Sequence, residues 1–199
     1  MDFSILFRVI WSPSDVFKQF KEKLRLEPYI FIGILAIFQG LMPYLGRFGE
    51  ISQSGFAVTM NVLVGYLFFL AFPIVNVLVV TLAITFLGGE RPSFFSILSA
   101  LILCHLPYYI EAILALTLGY SPIGLGSLFP SIEHVSPFAF GMIGTISLSF
   151  GLCMALWWFA INQLLSLSEK KKLFVVAILA FANIFLGGWI WRMTSIATK

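Results

Sequence analysis

Apolar residues dominate this chain in five long runs, near 29–45, 58–87, 94–118, 138–165 and 173–191. Between them lie short polar turns at 88–93 and 166–172 and a longer Pro/Gly-rich segment at 119–137. A helix rises 1.5 Å per residue, so runs of this length approach or exceed the roughly 30 Å of a bilayer's hydrocarbon. The pattern therefore predicts an all-α polytopic membrane protein with five transmembrane helices. The second and fourth runs exceed the need and predict tilt or a kink. Pro73 and Pro107 each remove one helix hydrogen bond and predict bends near mid-membrane. Tyr29 and Tyr44 bracket the first run and Trp189 and Trp191 close the last, as interfacial aromatic belts do.

Residues 1–28 follow a different period. Ser12-Pro13-Ser14-Asp15 reads as a helix start, with Ser12 as N-cap and Pro13 at the first helical position. Val16, Phe17, Phe20 and Leu24 then share a face, while Lys18, Lys21, Lys23 and Arg25 spread over the other side. This predicts an amphipathic interfacial helix, apolar face in the headgroup boundary and the four basic residues against anionic lipid. A cap packed on the bundle fits the same period. The expected organisation is a cytoplasmic amphipathic segment at 1–28 and a five-helix membrane domain at 29–199.

Composition agrees: 60% of the 199 residues are hydrophobic, 11% are charged, and the mean hydropathy is +1.00. Soluble domains carry about 25% charged residues, so the apolar excess is read as facing lipid. A net charge of +3 is too small to suggest nucleic acid. Its distribution is more informative. Arg8, Lys18, Lys21, Lys23, Arg25, Arg91, Lys170, Lys171 and Lys172 fall on one side of the five-span topology; Arg47, Arg192 and Lys199 fall on the other. That asymmetry puts the N-terminus in the cytoplasm and the C-terminus outside. No cleavable leader is apparent, since Asp2 stands where a basic n-region would be.

Polar residues inside the runs are the candidates for function, because such groups are costly at membrane depth. Gln39, Asn76, His105 and Asn183 each lie ten or eleven residues from a cytoplasmic end, at about 15 Å by helix rise. Four helices thus contribute to one level. Asn76 and His105 also stand twelve residues either side of the 88–93 turn, which predicts contact between them, and Pro73 falls opposite Tyr108 by the same reckoning. Nearer the outer side, Glu111 comes level with Thr145, with Tyr108 one turn away. Two readings stand: interhelical hydrogen-bond glue, or a polar path for an ion, proton or small solute. Ser147, Gly151 and Ala155 form a ridge of small residues suited to close helix packing, within the chain or in a homo-oligomer.

Catalytic chemistry is absent from the motifs. There is no phosphate loop and no H-E-x-x-H metal pair. Ser147-Leu148-Ser149-Phe150-Gly151 lacks the leading glycine of a nucleophile elbow. His105, His134, Glu111 and Glu133 have no metal-site spacing, and Cys104 and Cys153 read as buried thiols. The expectation is a protein without catalytic, cofactor-binding or metal-binding residues.

Several of these features coincide. Ser-Pro-Ser-Asp-Val-Phe at 12–17, Pro28 before the first run, Gly88-Gly89 followed by Ser93-Phe94, and Leu106-Pro107 within the third run resemble the Yip family. These integral membrane proteins are named for interaction with Ypt and Rab GTPases, and the similarity spans nearly the whole chain. The resemblance implies a non-enzymatic role in organising membrane or binding a partner, as in Golgi and endoplasmic-reticulum traffic. The long cytosolic N-terminal region and Asp-Leu-Tyr-Gly-Pro motif of eukaryotic members are missing, which speaks against a Rab-type GTPase partner. What it suggests is a compact prokaryotic form in an inner or plasma membrane. A small transporter or channel using the mid-membrane polar level is the alternative.

Overall fold

The computed structural model describes residues 2, 4–22, 25–41, 55–90, 92–118, 142 and 146–197. Regular structure among these residues is helical: α1 Ser4–Trp11, α2 Pro13–Glu22, α3 Glu27–Leu41, α4 Gly55–Leu87, α5 Phe94–Cys104, α6 Leu106–Leu118, α7 Leu148–Leu164 and α8 Glu169–Ala197. Two helices, Gly55–Leu87 and Glu169–Trp189, are long and apolar enough to cross a membrane. The apolar helices Glu27–Phe38, Phe94–Cys104 and Leu148–Leu164 are shorter. Residues 138–141 and 143–145 of the fourth apolar run lie outside the described residues, and helix α7 starts at Leu148. Ser147 is its N-cap, with Oγ accepting from the Phe150 N–H at 3.2 Å, and that bond fixes the start.

Helix α4 is apolar on all sides, which in a soluble protein would demand complete burial. Instead Leu67, Leu78, Leu82 and Phe86 are exposed on α4, as are Leu173, Phe174 and Phe181 on α8. The core lies on the inner faces of α4, α5, α7 and α8, around Leu101, Ile102, Trp157, Ile161 and Leu179.

Glycine positions two of the helix junctions. Gly40 on α3 is buried, and a Cβ there would meet the Val62 backbone N at 3.0 Å and Cα at 3.1 Å. Only a residue without Cβ lets α3 and α4 pack this closely. Gly88 takes φ +70° just past the end of α4, and the Gly89 N–H reaches back to the Ile84 carbonyl at 3.2 Å. This is a Schellman stop. Lys171 adds to it by donating to the Leu87 carbonyl at 2.7 Å, a cation at the negative end of the α4 dipole. The three consecutive lysines thus diverge: Lys172 is buried, donating to Asn162 Oδ1 at 2.6 Å and to Glu169 Oε1 at 3.2 Å.

The N-terminal pair α1–α2 departs from the interfacial expectation. α2 does start at Pro13, with the Ser12 carbonyl accepting from the Val16 N–H at 3.2 Å. Its apolar face does not meet headgroups, however: Val16, Phe17 and Phe20 are fully buried, and α2 packs on α5 and α7. The helical period serves lipid and protein partners equally, and here the bundle takes that face. Among the described residues of the pair, the large apolar side chains left exposed are Phe7, Ile10 and Trp11 of α1.

Candidate functional site

The polar groups converge at one place. His105 terminates α5, because Pro107 has no N–H to continue the ladder and its ring crowds the preceding turn. The helical run therefore breaks at His105 and resumes as α6 with Pro107 in the first turn, where it is tolerated. At the break, His105 Nδ1 lies 2.7 Å from the Leu101 carbonyl. A carbonyl can only accept, so Nδ1 carries the proton and Nε2 is the acceptor of the neutral ring. Asn76 Nδ2, on α4, donates to that Nε2 at 3.1 Å.

Asn183 on α8 completes the junction. Its Nδ2 donates to Asn76 Oδ1 at 2.7 Å and to the Leu179 carbonyl at 2.8 Å, while its Oδ1 accepts from Asn76 Nδ2 at 3.4 Å. Each amide N–H and each ring nitrogen of the three residues has a partner. The Leu179 carbonyl fixes the Asn183 amide, which fixes Asn76, which fixes the histidine tautomer. All three side chains are at most 2% exposed. The buried side-chain atoms without a partner among the described residues are Trp157 Nε1 and Arg25 Nε, so the junction itself holds no unmet group.

Aromatic rings enclose the imidazole: Phe72, Tyr108, Tyr109 and Trp157 have centroids within 5.8–6.5 Å of it. Tyr109 has a further role. Pro73 cannot donate to the Phe69 carbonyl one turn earlier in α4, and the Tyr109 hydroxyl donates to it instead at 3.0 Å. Sequence spacing set Tyr108 opposite Pro73; the structure uses its neighbour. Tracing the carbonyl that Pro73 orphans, rather than Pro73 itself, would have pointed to Phe69 and a donor across from it.

The remaining candidates do not join this junction. The Gln39 side chain, Lys23 and Thr145 lie outside the described residues. Tyr108 stacks on His105, while Glu111 lines a separate apolar groove between α6 and α7 and makes no hydrogen bond or ion pair among the described residues. Ser147 is spent as a cap, and Gly151 faces open space, with nothing within 4 Å of where a Cβ would stand. Ala155 lines the groove. Lys18 and Lys21 are exposed, but Arg25 is turned inward, donating to Gln19 Oε1 at 2.7 Å and lying 3.8 Å from Glu27 Oε1.

That inward turn belongs to a latch the sequence did not signal. Asp2 Oδ1 accepts from the Ser4 N–H at 3.0 Å and the Ser4 hydroxyl at 2.5 Å, and Arg8 lies 4.0 Å from Asp2 Oδ2. The Asp2 N–H donates to Glu27 Oε1 at 3.1 Å, tying α1 to the start of α3. The Ser4 bonds hold the Asp2 carboxyl below its ordinary value. Burial acts to raise the Glu27 carboxyl, yet the backbone N–H groups and Arg25 outweigh it and the net direction is down. A flank of charges before an apolar run was visible, but their pairing depends on how α1 folds back.

A saturated polar junction inside helices whose outer faces carry leucine and phenylalanine defines an integral membrane protein of the all-helical kind. The chain belongs to the Yip family: the family model for the Yip1 domain matches residues 7–191, as the motifs at 12–17, 88–94 and 106–107 lead one to expect. No curated protein and no solved structure matches it.

Proposed function

We propose that this chain is a non-enzymatic membrane-organising protein of five crossing segments, with α1–α2 held as a wedge in the cytoplasmic interface and the C-terminus outside. The proposed setting is a prokaryotic inner or plasma membrane. The observation that carries the reading is the exposed face of α1. Phe7 and Trp11 are 71% and 82% exposed, while Ile5, Leu6 and Val9 of the same helix are buried. Large aromatics displayed beside lipid-facing helices belong at the headgroup boundary. The latch and the burial of α2 attach this wedge firmly to the bundle, so the area it inserts loads one leaflet. Lys18 and Lys21, both exposed, would add attraction to anionic lipid. Members of the family are generally non-enzymatic. Against a solute path, every amide N–H and ring nitrogen of the Asn76–His105–Asn183 junction is spent within the protein.

Reconstitution tests this. Wild-type protein in anionic vesicles should narrow the vesicles seen by cryo-microscopy as protein density rises. A Phe7→Ser/Trp11→Ser variant should leave them at the protein-free diameter. Identical diameters for the two proteins would sink the wedge.

A further inference from the structure

The groove between α6 and α7 belongs neither to the polar junction nor to the wedge. It encloses about 510 Å³, within the range of small-molecule sites. Along α7 it runs from Leu148 to Phe159, eleven residues or about 16 Å by helix rise, which is about half a bilayer's hydrocarbon thickness. Leu152, Leu156 and Phe159 line it from α7, Ile110 and Leu114 from α6, and Ile10 and Pro13 from the α1–α2 pair. Leu148, Leu152 and Ile110 are between 43% and 78% exposed, so the slot opens sideways.

Among the described residues its polar lining is sparse. Glu111 and Ser149 are the side chains there able to engage a charged or hydrogen-bonding group, and Glu111 is the charged residue among the described lining. A carboxyl beside lipid without a cation is costly, so an arriving cation would be favoured. A second copy of the chain fits less well, because a two-fold pairing across Gly151 and Ala155 would bring two Glu111 carboxyls to one interface. We infer that this groove holds one acyl chain of a phospholipid whose headgroup ends in an ammonium, with the ammonium at Glu111 and Ser149 and the chain lying toward Ile10 and Pro13. The occupant is chosen by length, by the apolar wall and by charge complementarity.

The experiment uses the full chain in vesicles of equimolar phosphatidylethanolamine and phosphatidylglycerol, followed by gentle extraction and native mass spectrometry of the retained lipid. Wild type should retain the ethanolamine lipid about threefold over the glycerol lipid, the scale of one partly exposed ion pair. Glu111→Gln should keep a bound lipid but lose the preference. Leu152→Trp, at a half-exposed position where folding is not at stake, should fill the slot and lower total retention. Equal preference in wild type and Glu111→Gln would overturn the assignment of the ammonium. Undiminished retention in Leu152→Trp, or a lipid-free dimer in the wild type, would overturn the assignment of the groove.

Discussion

Removing the Tyr109 hydroxyl asks how much a proline inside a long apolar helix depends on a neighbour. In Tyr109→Phe the ring keeps its packing against Phe69, at 5.3 Å and 81°, but the Phe69 carbonyl loses its 3.0 Å donor. Pro73 offers no N–H, and the site is buried, with Phe69 at 7% and Tyr109 at 5% exposure. A buried hydrogen bond contributes about 0.5–1.5 kcal/mol net, whereas interhelical bonds in membrane proteins average about 0.6 kcal/mol. Burial of both partners places this case toward the upper range, and we expect a loss of about 1.5 kcal/mol. The decisive control is Pro73→Ala, which restores an N–H one turn beyond Phe69 and closes the ordinary helix bond. In that background Tyr109→Phe should cost about 0.5 kcal/mol or less, leaving a coupling energy near 1 kcal/mol in the double-mutant cycle. Reversible unfolding by sodium dodecyl sulfate in mixed micelles gives all four free energies. An equal cost of Tyr109→Phe in both backgrounds would refute the reasoning, because the hydroxyl would then not be serving the carbonyl that Pro73 exposes.

Two further outcomes follow from the polar clusters. Asn183→Leu strands the Asn76 side-chain oxygen in a buried site and should cost about 1–3 kcal/mol in the same assay. His105→Gln should cost less, since an amide oxygen can accept the Asn76 N–H; the reverse order would refute the amide pair as the centre of the junction. At the latch, both carboxyls titrate below their ordinary values, 3.8 for Asp2 and 4.5 for Glu27. Their contribution is therefore complete above those values and lost as pH falls through the lower folded ones. A spin label on Lys18→Cys, in a chain lacking Cys104 and Cys153, should stay immobilised from pH 7 to about pH 5 and loosen below about pH 4. Loosening that begins near pH 6 would exclude the carboxyls as its cause.

What the sequence could reveal divides along a physical line. Helix rise is the same in every helix, so equal distances from a two-sided turn translate into equal depth, and Asn76 meets His105 on that count alone. Asn183, on a helix joined to neither, comes to the same level because the start of its helix lies alongside the turn between theirs, fixed by Gly89 against Leu167 (2.7 Å from a Cβ built on the glycine) and by Lys171 on the Leu87 carbonyl. Depth is therefore written in a chain of this kind, while azimuth is not. One residue is 100° of turn, and that is the difference between Tyr108 and Tyr109 as the partner of the α4 carbonyl. The same limit applies to α2, whose apolar stripe states which residues share a face and leaves open whether lipid or protein covers it. The bundle wins that face because Phe17 and Phe20 gain close-packed partners there, whereas lipid would give them only a disordered solvent. The cost of that choice falls on α1, whose Phe7 and Trp11 are left exposed. A segment that looks like an anchor by its period is thus a clamp, and in the proposed wedge the anchoring falls to the shorter helix before it.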